Sequence, residues 1–125
     1  MSNLAQKRLL QAAVAIACLV PIAAGIGGIF DGVRMLGPGD VTLDSHFRYL
    51  SGLLLGLGIG FLSIIPNIEN QRERATLLSS IVVLGGFARL YGVWVEGWPA
   101  PPMLFALLME LGVVPLLWLW QRQLR

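Results

Sequence analysis

The chain has 125 residues, of which 56% are hydrophobic and 13% charged, and its formal net charge is +2. Since a soluble domain carries about 25% charged residues, this composition excludes an ordinary water-soluble surface. The basic residues form no run with interleaved aromatic side chains, which argues against nucleic acid as a partner. The length fits one domain.

Four long apolar segments predict an all-α membrane protein, a bundle of four transmembrane helices that forms a single domain over residues 1–125. A helix needs about 20 apolar residues to cross the hydrocarbon core of a bilayer, and the segments lack the regular alternation of membrane strands. The predicted spans cover about residues 9–30, 49–65, 75–95 and 103–120.

The first segment has some features of a secretory signal peptide. Lys7 and Arg8 precede its apolar core, and small residues follow. The apolar run continues well beyond Cys18, which is too long for a signal core, so we expect this segment to remain as a span. Cys18 is the only cysteine and cannot form an internal disulfide, so we expect it to serve packing.

Basic residues predict the orientation of a multi-pass protein, because they concentrate in cytoplasmic loops. Three segments that fall on one side of a four-span chain carry Lys7, Arg8, Arg72, Arg74, Arg122 and Arg125. The other side carries only Arg34 and Arg48. The sequence therefore predicts that the N-terminus and the C-terminus are both cytoplasmic.

Small residues recur every four positions in two of the predicted spans. Gly52, Gly56 and Gly60 form such a row in the second span, and Gly25 ends a similar row in the first. Gly85 lies on one face of the third span with Arg89. Such rows let membrane helices approach closely. They serve either packing within the chain or contact with another copy or a larger membrane complex.

Two charged residues lie inside predicted spans, where charge is costly and often functional. Arg89 and Glu110 fall at similar depths on consecutive antiparallel helices, near the predicted outer surface. We expect them to pair. The pair is either a structural salt bridge that sets helix register or the floor of a polar pocket.

Further polar residues accompany this pair at the predicted outer mouth of the second span. The candidate ligand-binding or structural cluster is Asp44, His46, Arg48, Tyr49, Arg89, Tyr91 and Glu110. It could hold an anionic headgroup or transfer protons. In the simpler interpretation, His46 is only solvated and Asp44 caps a helix. No nucleophile set, metal-ligand spacing or cofactor motif accompanies the cluster, so no catalytic residue, metal or cofactor is predicted.

The chain resembles a known family in a series of short motifs. They are Asp44-x-His46-x-Arg48, Gly52 with Gly56, Gly85-Gly86-x-x-Arg89-Leu90, Gly97-x-Pro99, and Glu110 with Pro115. This order resembles the bacterial domain of unknown function 4345 family over nearly the whole chain. The resemblance implies a four-span fold, a place in the bacterial cytoplasmic (inner) membrane and the same polar positions. It implies no activity.

These features favour a non-catalytic membrane protein that binds membrane lipids or another hydrophobic ligand, or that accompanies a larger complex or a homo-oligomer. Two alternatives stay open. One is a membrane enzyme that acts on a lipid or isoprenoid-like substrate. The other is a small proton-coupled transporter, which needs a polar route through the cytoplasmic half.

Overall fold

The computed structural model describes residues 3–124, and within that range every regular element is helical. The α-helices are α1 (Asn3–Asp31), α2 (Val41–Ile64), α3 (Arg72–Glu96), α4 (Pro101–Leu108) and α5 (Val114–Gln123). Short 3-10 helices cover Gly32–Met35 and Ile68–Asn70. A π-helical turn, Met109–Val113, joins α4 to α5.

Four of the described helices are long and apolar enough to cross a membrane: α1 with its 3-10 extension, α2, α3, and the continuous helix Pro101–Gln123. Many of their large apolar side chains face outward, among them Phe30 at 76% and Leu84 at 70% exposure. A surface of this kind suits lipid, since lipid tails solvate apolar side chains. The predicted all-α, four-span fold class is confirmed.

Contacts within the chain group it into two compact units, and the first covers Gln11–Pro66. In this unit α1 and α2 approach each other through small residues. A methyl group added at Gly25 would lie 2.8 Å from the backbone nitrogen of Leu55, and one at Gly58 would lie 2.6 Å from Ile22. Gly25, the last residue of the predicted row, therefore lies at a close contact between the two helices.

The second unit combines residues 67–125 with the start of the chain up to Leu10. Its most buried side chains include Leu10 and Ile68, both fully buried. Gln121 Nε2 donates to the carbonyl oxygen of Ile68 at 2.6 Å, and Trp118 Nε1 donates to Thr76 Oγ1 at 2.8 Å. The first bond attaches α5 to the 3-10 helix before α3, and the second attaches it to α3 itself. The prediction of a single domain stays a prediction.

The π-helical turn ends two residues before a proline. Pro115 has no N–H to donate, so it cannot close a normal helical bond to the preceding turn. The N–H of Val114 reaches the carbonyl of Met109, five residues back. Such turns occur often at functional sites, and this one contains Glu110.

Helix α2 begins earlier than predicted. Asp40 is its N-cap, and its side chain accepts a hydrogen bond from the N–H of Leu43 at 2.7 Å. The capping role considered for Asp44 was therefore wrong, because Asp44 already lies in the first turns of the helix. His46, Arg48 and Tyr49 are therefore residues of α2, and their place at the outer mouth of the span stays a prediction.

Candidate functional site

Arg89 on α3 and Glu110 in the π-helical turn face each other in the second unit. Arg89 Nε donates to Glu110 Oε1 at 2.7 Å. Their side chains are 33% and 18% exposed, so the pair is partly open rather than sealed inside the protein. The structure thus brings these two predicted residues together, and whether the pair serves structure or binding stays a prediction.

A glycine permits this approach. A methyl group at Gly86 would lie 2.7 Å from Leu111 Cδ2 and 3.0 Å from Glu110 Cβ. Only a residue without a side chain lets α3 lie this close to the π-helical turn. Gly85, the predicted packing residue, is less tightly placed, since a methyl group there would lie 4.0 Å from Glu110 Oε2.

The guanidinium of Arg89 makes one strong bond and two weaker contacts. Nη2 lies 3.5 Å from Glu110 Oε2, which is the outer limit for a hydrogen bond. Nη1 lies 3.1 Å from the thioether sulfur of Met103, a weak acceptor. Because a guanidinium offers five N–H donors, Arg89 keeps donor capacity that residues 3–124 do not fill with strong acceptors.

Asp44 and Arg48 form a second pair, in the first unit. Asp44 accepts from the backbone N–H of Val33 at 2.7 Å and from Arg48 Nε at 2.8 Å. Arg48 Nη1 also donates to the carbonyl of Ile29 at 2.6 Å. The two side chains therefore attach the start of α2 to the end of α1, where helix carbonyls otherwise lack partners.

Gly32 makes this attachment possible. Its φ of +70° is a left-handed conformation that favours glycine, and an added methyl group would collide with Asp44 and Arg48. Sequence reasoning missed Gly32, Ile29 and Val33 as partners of the polar pair. A glycine directly after a long apolar helix is the signal that could have indicated a helix end there.

The remaining predicted polar residues lie on exposed surface. His46 is exposed in the first turns of α2. Tyr49 and Tyr91 are 64% and 70% exposed. The structure therefore forms one polar pair within each unit, and the seven-residue cluster stays a prediction.

The glycine row of α2 has no neighbour at two of its positions. A methyl group at Gly52 or Gly56 would meet open space. Gly60 accepts a bond from Ser63 Oγ through its carbonyl at 2.5 Å. The packing role predicted for these three glycines stays a prediction, whereas Gly58 makes the close contact described above.

Within residues 3–124, no group of three or more His, Cys, Asp or Glu side chains is arranged to hold a metal ion.

A comparison with protein families gives a match over most of the chain. The family model described as Domain of unknown function (DUF4345) matches residues 9–121. The chain belongs to this family. The match includes all of the DUF4345 motif positions named above, from Asp44 to Pro115. No curated protein and no solved structure matches the chain. Since the family description names no activity, a functional proposal for this DUF4345 protein rests on its geometry.

Proposed function

We propose that this protein is a non-catalytic membrane protein that binds the polar head of a lipid or another hydrophobic ligand at the Arg89–Glu110 pair. The observation that supports the proposal is the incomplete bonding of Arg89. Its guanidinium is one-third exposed and has one strong acceptor, Glu110 Oε1, at 2.7 Å. A phosphate, carboxylate or carbonyl oxygen of a ligand would supply the missing acceptors.

The surroundings of the pair favour an amphipathic ligand over a soluble one. Both residues lie within candidate membrane spans, Arg72–Glu96 and Pro101–Gln123, and the thioether of Met103 lies 3.1 Å from Arg89 Nη1. Apolar tails would lie along the exposed apolar side chains of these spans while the polar head reaches Arg89. Glu110 would hold the guanidinium in place through its 2.7 Å bond.

The site would face the outer leaflet of a bacterial inner membrane, with both termini in the cytoplasm. The distribution of basic residues supports this orientation. The family resemblance supports the bacterial membrane.

The test is native mass spectrometry of the protein released gently from membranes. We expect the wild type to carry one reproducible bound mass that is missing from Arg89→Gln, whatever other lipid stays on both proteins. Glu96→Gln is the matched control, because it removes an exposed carboxylate from the end of the same helix and should leave the bound mass unchanged.

Other results would contradict the proposal in distinct ways. A bare, folded wild-type chain would leave the Arg89–Glu110 pair as a structural salt bridge. A ligand that is chemically converted on incubation would favour the membrane enzyme. Proton flux driven by the protein in sealed vesicles, lost in Glu110→Gln, would favour the transporter.

An accessory role within a larger membrane complex or homo-oligomer is the second candidate. The observation that favours it is the open position of Gly52 and Gly56, where a methyl group would meet nothing. Small residues of this kind mark surfaces for close helix contact. Native mass spectrometry tests this role in the same experiment, since a companion chain that dissociates in Gly52→Leu would support it.

A further inference from the structure

A cavity of about 850 Å³ lies at the end of the second unit where α3 begins and α5 ends. Its lining is mainly charged and polar, and includes Arg72, Arg74, Arg122, Glu69 and Glu73. It lies outside the Arg89–Glu110 pair and shares no residue with it. We call it the basic pocket.

The charges of the basic pocket favour an anion. Glu69 is already paired, since Lys7 Nζ lies 3.1 Å from its Oε1, and Lys7 is not part of the lining. The described lining holds three arginines against two carboxylates, Glu69 and Glu73, and Lys7 offsets the first of these. The pocket therefore carries net positive charge, and guanidinium groups bind phosphate oxygens in bidentate geometry.

Two of the arginines are held in place by their neighbours. Arg72 Nη2 donates to the carbonyls of Arg122 and Leu124 at 3.2 and 2.7 Å, which joins the start of α3 to the end of α5. The guanidinium of Arg122 lies 4.9 Å from the ring centre of Trp118. Stacking on an aromatic face limits the freedom of an arginine before a ligand arrives.

The start of α3 adds to the attraction for an anion. Its N-cap residue, Gln71, makes no side-chain bond to the first N–H groups of the helix. These groups carry partial positive charge, which the 25-residue helix reinforces at its N-terminus. They lie on the same rim as Arg72 and Arg74.

The position of the basic pocket selects the type of anion. It lies at the ends of two candidate membrane spans, where the phosphates of a bilayer lie. Trp118, beneath Arg122, is an amphipathic ring of the kind enriched at the membrane interface. We propose that the basic pocket binds the phosphate of an anionic phospholipid headgroup, independently of any ligand at Arg89.

The experiment uses the full-length protein in nanodiscs that contain equal amounts of phosphatidylglycerol and phosphatidylcholine. Native mass spectrometry after release measures the ratio of the two lipids that remain bound. We expect the wild type to retain phosphatidylglycerol preferentially. The double variant Arg74→Gln/Arg122→Gln should lower that preference about tenfold, because it removes two of the three guanidinium groups that would bond the phosphate oxygens.

The control removes the same charge elsewhere. Arg8→Gln/Arg34→Gln neutralises two exposed arginines outside the basic pocket and should keep the wild-type preference. An equal loss in both double variants would overturn the proposal in favour of general surface charge. An unchanged preference in Arg74→Gln/Arg122→Gln would overturn it outright. Should that variant not fold, Arg122→Gln alone must lower the preference severalfold, and an unchanged ratio would overturn the proposal.

A second experiment distinguishes a lipid phosphate from free inorganic phosphate as the ligand of the basic pocket. Inorganic phosphate is added to the protein in nanodiscs of phosphatidylcholine only, and the melting temperature is measured. Stabilisation by free phosphate that Arg122→Gln abolishes, without a preference for phosphatidylglycerol, would replace the lipid with a soluble anion. Arg89→Gln should leave the lipid preference intact, so failure of this proposal and failure of the proposed function give different results.

Discussion

The polar residues of this DUF4345 protein differ in how completely their hydrogen bonds are satisfied. Asp44 accepts a hydrogen bond from the backbone N–H of Val33, just after α1. Arg48 donates one to the carbonyl of Ile29 near the end of α1. Arg89 has one strong bond, to Glu110, and otherwise weak contacts. Arg48 has two strong acceptors, Asp44 and the carbonyl of Ile29, whereas Arg89 has one, so Arg89 has more donor capacity left for a ligand.

Asp44→Asn tests the structural assignment at the residue scale. An amide cannot accept from both the Val33 N–H and the Arg48 guanidinium as a carboxylate does, and it removes the charge that holds Arg48. We expect a clear fall in melting temperature in detergent micelles and no change in the mass bound at Arg89. The control Asp31→Asn, an exposed carboxylate without a capping bond, should melt as the wild type does. A stable Asp44→Asn protein that loses ligand would instead return Asp44 to a binding role.

Glu69 predicts a pH dependence. Its own backbone N–H, and then the ammonium of Lys7, hold the pKa of the Glu69 carboxyl below its ordinary value of 4.5. A carboxyl whose pKa is lower in the folded state stabilises the fold at any pH above its unfolded-state pKa. This stabilisation is lost as the pH falls through the folded-state pKa. The melting-temperature advantage of wild type over Glu69→Gln should therefore be constant from pH 7 to about 5 and vanish at lower pH. An advantage that does not change with pH would contradict the assignment, and Glu73→Gln is the matched control.

At the scale of the helices, close approach depends on particular glycines rather than on a regular spacing. Gly25 and Gly58 lie where α1 and α2 meet, and Gly86 lies where α3 meets the π-helical turn. Gly52 and Gly56 are four residues apart, as expected for a packing row, but a methyl group at either would meet no other atom within 4 Å. Consecutive residues of a helix point about 100° apart around its axis. Only the residues on one face of α2 therefore point toward α1.

Gly25→Ala should destabilise the first unit. The added methyl group would lie 2.8 Å from the backbone nitrogen of Leu55 and the carbonyl of Ser51, and backbone atoms cannot rotate away. Overpacking of this kind costs about 1–3 kcal/mol. Gly56→Ala, which adds the same group to open space on α2, should leave thermal stability unchanged or slightly higher. Equal melting temperatures for the two variants in micelles would contradict the helix contact.

At the scale of the whole molecule, the outward-facing apolar surface and the four candidate spans make this a membrane protein. The basic residues then predict which ends face the cytoplasm. The basic pocket lies at the end of the second unit that carries Arg72, Arg74 and Arg122. The predicted orientation would therefore place it against the anionic inner leaflet.

Cysteine labelling tests this orientation. In a Cys18→Ser background, Pro38→Cys places a thiol in the exposed loop between α1 and α2, and Asn67→Cys places one in the exposed connection before α3. A membrane-impermeant maleimide added to intact bacterial spheroplasts should label Pro38→Cys and spare Asn67→Cys until the membrane is opened. The reverse pattern would show that the termini face outward.

The sequence by itself determined the number and type of the spans, because the bilayer sets the length and apolar character of any helix that crosses it. It also indicated Arg89 and Glu110, since charge inside a span needs a partner. Only the tertiary structure decided that Asp40 rather than Asp44 caps α2, that Gly86 rather than Gly85 makes the tight contact, and that Glu110 lies in a π-helical turn. These features depend on shifts of one to four residues and on contacts between residues distant along the chain, which composition and spacing do not encode.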